Sequence, residues 1–238
     1  MTDTTASQAE IHHSHRDVSG GWLRPAVFGA MDGLVSNLAL IAGVTGGGAP
    51  PPAVVLAGLA GLAAGAFSMA AGEYTSVASQ SELGRAEIEI ERREIAAHPA
   101  EEQEELAQLY VARGVEPTLA RQVAAQLSRD PAQALAVHVR EELGLDPEDL
   151  PSPLVAATSS FLTFAAGAIL PVLPYLFGAT VLWPALAISL IGLFGCGALV
   201  SRVTNRSWWF SGLRQLVLGA AAAALTYAIG AIVGVGLA

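Results

Sequence analysis

Two carboxylates stand in stretches that otherwise carry no charge. Asp32 interrupts the apolar run Pro25 to Val44, and Glu73 is the only charge between Ala53 and Ser79. An ionised carboxylate in hydrocarbon costs on the order of several kcal/mol, and such a group usually faces a partner or a pathway. Neither run contains a Lys or Arg to pair with it. Met69 lies four residues before Glu73, hence one turn away on the same helical face. A soft thioether beside a hard carboxylate favours a borderline transition metal over Mg²⁺ or Ca²⁺, which take all-oxygen shells. Gly58, Gly61, Gly65 and Gly72 line the same stretch. Gly61-x-x-x-Gly65 is a close-packing signature that needs no ligand to explain it.

A second group of acids lies further on. Glu91/Glu94 and Glu102/Glu105 are two i, i+3 pairs on either side of Pro99, and an antiparallel hairpin brings two such faces together. Four carboxylates so arranged repel one another unless they are protonated or bridged by cations. The plainer reading is a solvated helix face. Glu101, Glu102, Glu104 and Glu105 fill a first turn, where acids offset the helix dipole, and Arg92 and Arg93 can pair with neighbours. Spacing alone does not separate the two. His138 and Glu142 form an i, i+4 pair with Glu141 beside it, and His12, His13 and His15 cluster near the N-terminus. There is no phosphate loop, no nucleophile–base constellation and no Cys-x-x-Cys, which argues against an enzyme and against an ATP-driven pump.

The elements that must position these residues follow from composition. The chain has 238 residues, 53% hydrophobic and 14% charged, against about 25% charged for a soluble domain. Its mean hydropathy is +0.49. A membrane helix needs about 20 mostly apolar residues. Pro25 to Val44 gives a first span, ended by Thr45-Gly46-Gly47-Gly48, and Ala53 to Ser79 gives a second. Leu154 to Val200 is free of charge for 47 residues, about 70 Å of helix, over twice the ~30 Å hydrocarbon core. It must fold back, around Pro174 to Gly178, giving spans three and four. Leu216 to Ala238 is the fifth, with Trp208 and Trp209 at its entrance. Cys196, the lone cysteine, sits in an apolar run as a small hydrophobe.

Residues 80–150 hold sixteen Asp/Glu and seven Arg, so the whole net charge of −9 lies in this block. Such a block seeks cations, not nucleic acid. Its pattern predicts four helices. Ser81 to Ala97 carries Leu83, Ala86, Ile90 and Ala97 on one stripe and Glu87, Glu91 and Glu94 on another. Ala100 to Arg113 stops at Gly114. Pro117 opens a third, with Leu119, Val123 and Leu127 on one side. The fourth begins at Asp130-Pro131 and ends at Gly144. All twelve basic residues are Arg, and they fall in the tail, in the central block and in the loop before span five. The positive-inside rule then puts the N-terminus and the acidic block in the cytoplasm. The expected fold is all-α: an integral membrane protein of five transmembrane helices with a small helical cytoplasmic insert between spans two and three. Residues 1–22 form a polar tail, 23–79 spans one and two, 80–150 the insert, and 151–238 spans three to five.

Several motifs resemble the vacuolar iron transporter family. They are Ala30-Met31-Asp32-Gly33-Leu34-Val35-Ser36-Asn37 in span one and Ala64 to Tyr74 with Ser79-Gln80-Ser81-Glu82 in span two. In the insert they are Glu91-Arg92-Arg93-Glu94-Ile95 and Glu142-Leu143-Gly144-Leu145. The resemblance implies a dimer of five-span subunits with a metal path near the dimer axis and divalent metal/proton antiport. It matches Asp32 and Met69 to intramembrane metal residues, and Glu91, Glu94, Glu102, Glu105 and Glu142 to glutamates of the insert. Gly61 stands where plant members carry a glutamate, which makes Glu73 the candidate replacement. His138 and Val139 stand where Met and Glu are expected, and His138 joins the candidate ligands. The resulting expectation is a transporter of Fe²⁺, with Mn²⁺ as a second ion, moving metal out of the cytoplasm in exchange for protons. Its partners are metal ions, protons, membrane lipid and a second copy of the chain. Its place is the inner membrane if the cell is bacterial, where export means detoxification; in a cell with a vacuole the same topology means storage. The rival readings are a membrane-anchored metal sensor or buffer and a transporter of organic cations.

Overall fold

Proline and glycine set the helix boundaries. The computed structural model describes residues 21–204 and 206–237, so His12, His13 and His15 lie outside the described residues. Within them every regular element is helical: α1 (Leu23–Gly46), α2 (Pro51–Ala97), α3 (Pro99–Ala112), α4 (Pro117–Leu127), α5 (Pro131–Glu142), α6 (Pro153–Ile169), α7 (Leu173–Leu176), α8 (Trp183–Thr204) and α9 (Trp208–Leu237). Helices α2 to α6 each open on a proline, whose fixed φ suits a first turn and whose missing N–H is not needed there. Side-chain oxygens of Glu116, Asp130 and Ser152 accept from the backbone N–H of Leu119, Ala132 and Val155, capping α4, α5 and α6. Gly114 and Gly144 adopt positive φ where the chain leaves α3 and α5, as the sequence predicts.

The largest departure from expectation is α2. The change from apolar to charged sequence near Ser79 is not a break, and the expected span and insert helix are one helix of 47 residues. At 1.5 Å per residue this is a rod of about 70 Å. No proline lies between Pro52 and Pro99, so no residue removes a hydrogen-bond donor along the way.

Helices α1, α8 and α9 and part of α2 are long and apolar enough to cross a membrane. Helix α6, where span three was expected, has 17 residues, about 26 Å. The chain then reverses through α7 and Gly178. Helix α9 starts at Trp208, so Trp208 and Trp209 belong to its first turn, stacked at a 4.8 Å centroid separation. Cys196 is half-buried in α8.

Helix α1 is the hub, packed against α2, α6, α8 and α9. Close approach at small residues makes this possible. A Cβ at Gly33 would run into the backbone carbonyl of Phe164 on α6, and one at Gly230 on α9 into that of Gly43. Asn37, buried in this apolar interior, donates through Nδ2 to the carbonyls of Gly58 (3.1 Å) and Ala168 (2.6 Å). One amide thus ties α1 to α2 and α6. Gly58, Gly61 and Gly65 each lie against a neighbouring side chain, whereas Gly72 faces open space.

Helices α3, α4 and α5 share a small core of Leu106, Ala107, Ala120 and Ala124, joined by Tyr110, Leu127 and Val137. Here the expected apolar stripes face outward. Leu83 and Ile90 are exposed, and α2 buries Ser81, Gly84 and Ile88. Gly84 leaves room for Leu145 and Leu150, which draws that side of α2 inward. Leu119 and Val123 are likewise exposed, because α4 docks through Ala120 and Ala124.

The α1–α6 contact yields a paired test. Overpacking a tight contact costs about 1–3 kcal/mol, so Gly33→Ala lowers the thermal unfolding temperature of the full chain in mild detergent. Gly72→Ala, which meets nothing within 4 Å, leaves it unchanged or higher.

Candidate metal centre

The acidic segment at residues 80–150 gathers four of the nominated side chains. Ligand atoms of Glu91 (α2), Glu102 (α3), His138 and Glu142 (α5) all lie within 4.8 Å of one another. Each arrives by a local rule. The turn at His98-Pro99 folds α3 back beside the end of α2, and i, i+4 spacing on α5 stacks His138 over Glu142. Arg113 anchors α5 to α3. Its guanidinium pairs with the Glu141 carboxylate and donates to the Glu141 carbonyl at 3.0 Å.

His138 is the centre of the group and only 1% exposed. Its Nδ1 bonds the Glu142 carboxylate at 2.7 Å and lies 3.0 Å from Glu91 and 3.7 Å from Glu102. The Glu91 contact is close but misaligned, so the buried Glu91 Oε1 has no hydrogen-bond partner. Burial raises the Glu91 carboxyl above its ordinary range. The Glu142 charge adds to the rise, while His138 opposes it. Burial likewise raises Glu102, reinforced by Glu91 and Glu105. Among the described residues, the ion pairs of these three carboxylates are all with His138 and none is with an arginine. Metal–ligand bonds near 2.1 Å put ligand atoms about 3–4 Å apart, so the group needs only small shifts to close on one ion. Oxygen with one imidazole nitrogen suits Fe²⁺, Mn²⁺ or Zn²⁺.

Two nominated glutamates stand outside this group of four. Glu94 is exposed and pairs with His98 at 3.0 Å. Glu105 is exposed as well, acting on Glu91 and Glu102 through its charge. Arg92 and Arg93 both pair with Glu89 on the outer side of α2, so they do not neutralise the cluster.

The membrane set is arranged differently. Asp32 is exposed on the surface of α1. Met69 packs against the Ala66, Phe164 and Ala168 cluster. Glu73 has a basic partner after all. Arg24, which the sequence assigned to the tail, lies in the first turn of α1 and reaches across to Glu73 at 3.8 Å. That pairing spans two helices, and only the neighbouring ends of spans one and two hint at it in the sequence. A side chain at Gly61 would meet Leu40 and Asn37, so the glycine there makes room for the Asn37 bridge.

The chain is similar to known proteins along most of its length. The chain is 32% identical over 231 residues to Vacuolar iron transporter 1 of Oryza sativa subsp. japonica, covering 95% of this chain and 92% of that protein. It is 30% identical over 226 residues to Vacuolar iron transporter 1 of Arabidopsis thaliana, covering 93% and 90%. It is 38% identical over 223 residues to the vacuolar iron transporter of Acanthamoeba castellanii, covering 91% and 81%. The model of the VIT family matches residues 23–231, and the chain belongs to that family.

Proposed function

We propose that this protein carries Fe²⁺, with Mn²⁺ as a second ion, out of the cytoplasm in exchange for protons. The observation that carries the reading is the Glu91, Glu102, His138 and Glu142 group on the extension of a helix that also crosses the membrane region. Relatives named as iron transporters support the ion and argue against an enzyme. The insert gathers the ion from the cytoplasm, and Asp32, Met69 and Glu73 form the route through the bilayer.

A homodimer fits the same reading. On a single chain Asp32, Ser36, Ala60, Ala64 and Ser68 of α1 and α2 are exposed. A carboxylate left in lipid is costly, and a second copy covering this face gives Asp32 a polar, shared passage. The Arg distribution supports a cytoplasmic N-terminus and insert. The limits at residues 22 and 150 bound the charged stretches by composition, and the limit at 79 marks a change of polarity within α2 and not a break in the chain.

Proton coupling follows from ligand chemistry. Metal binds carboxylates and imidazole only in their deprotonated forms, so loading expels protons and acid releases metal. Glu91 and Glu102 hold protons more tightly folded than unfolded. Their contribution to stability is therefore fullest below the ordinary glutamate value. It is lost as pH rises through the raised one.

Two measurements follow. Without metal, the full-length protein should lose thermal stability as pH rises above the ordinary glutamate value of about 4.3. Anaerobic Fe²⁺ or Mn²⁺ should restore it at the higher pH, by about 2.7 kcal/mol at a hundredfold excess over Kd. Glu91→Gln with Glu102→Gln should remove most of the metal response and flatten the pH slope. An identical metal response in that variant would reduce the cluster to a solvated face. In proteoliposomes, Asp32→Asn should lower Fe²⁺ flux at least tenfold, about 1.4 kcal/mol in barrier, with assembly intact. Folded Asp32→Asn protein with normal flux would remove Asp32 from the route. Metal binding without flux in the parent would favour the buffer reading.

A further inference from the structure

Arg24 is an unusual residue for its position. A cation in the first turn of a helix opposes the positive end of the helix dipole, so α1 gains nothing from it locally. Its side chain is 66% exposed, yet it points to Glu73, whose side chain is 11% exposed. The separation is 3.8 Å, beyond hydrogen-bond reach, and Glu73 Oε2 is buried without a hydrogen bond. The guanidinium also lies over the Phe28 ring, 5.8 Å from its centroid. The cation thus meets Glu73 without a hydrogen bond while already resting on an aromatic platform one turn along its own helix, where it can stay when the carboxylate turns elsewhere.

We propose that Arg24 is a tethered counter-cation at the mouth of the metal route, holding Glu73 between ions and yielding it when a metal loads. The inference rests on the reading of Glu73 as a route residue. Its chemistry is competition. Glu73 meets either the guanidinium or a divalent ion, and the double charge and shorter bonds of the ion win once it arrives. The guanidinium then keeps only its place over Phe28. Arg24 thereby keeps a half-buried carboxylate neutralised in the empty state and sets how much metal is needed to open the mouth. It is a positioning residue, acting on the ion through Glu73.

The test is the initial rate of Fe²⁺ uptake against Fe²⁺ concentration, under reducing anaerobic conditions, with the full chain in proteoliposomes. Removing the tethered competitor by Arg24→Gln should lower KM by up to about fivefold, the range of a partly exposed ion pair, without lowering the maximal rate. Arg24→Lys should stay near the parent. In a Glu73→Gln background, Arg24→Gln should shift KM no further, since the pair is already broken. An unchanged or raised KM in Arg24→Gln, beside a defective Glu73→Gln, overturns the counter-cation role alone. Parental kinetics in Glu73→Gln would overturn the route assignment, and the proposal with it.

Discussion

The unbroken backbone of α2 is the constraint on which the other features depend. Its hydrogen-bond ladder runs from Pro51 to Ala97 without a proline to interrupt it, so the two ends move as one body. Eighteen residues separate Glu73 from Glu91, about 27 Å along the axis. Glu91 of the cluster and Glu73, paired with Arg24, therefore lie on a single rod. The rod is pinned where Asn37 bonds Gly58 and Ala168. A close-packed interior responds to a shift at such a contact in discrete steps rather than by gradual bending. Helices α3 and α5 pack on the same rod, so the proposed closing of the cluster on an ion would act on α2 directly.

Electrostatics divides the molecule along the same rod. On the outer side of the extension, Glu89 is held below its ordinary range by Arg93 and Arg92 and is already neutralised. On the inner side, burial raises Glu91 and Glu102, and among the described residues neither forms an ion pair with an arginine. That asymmetry is why the inner acids, and not Glu89, are the proposed ligands. His138 explains how the group is tolerated without one, since its Nδ1 lies near three carboxylates. At the mouth, Arg24 plays a comparable part for Glu73.

Much of this was legible in the sequence, and the rest was hidden for physical reasons. Asp130-Pro131, Gly114 and Gly144 announced their boundaries because capping and positive φ are local properties. The continuity of α2 was hidden because a change in polarity does not break a helix, whereas a proline does. Leu83 and Ile90 looked like a core stripe, but tertiary contact with Leu145 and Leu150 at Gly84 decided which face turned inward. Glu94 and Glu105 stand three residues from cluster members. Three residues leave a helix about 60° from alignment, enough to carry Glu94 to His98 instead. The Arg24 to Glu73 contact joins residues far apart in the chain, and only the packing of α1 on α2 brings them together.

The central claim is that metal captured on the α2 extension crosses the bilayer against protons. Proteoliposomes holding a pH-sensitive dye and a trapped iron chelator test it by recording Fe²⁺ entry and internal pH together. The account predicts saturable Fe²⁺ entry that is accelerated by an acidic interior and accompanied by a rise in internal pH. Fe²⁺ entry indifferent to the pH gradient, or tight Fe²⁺ binding with entry no faster than in protein-free vesicles, would contradict it.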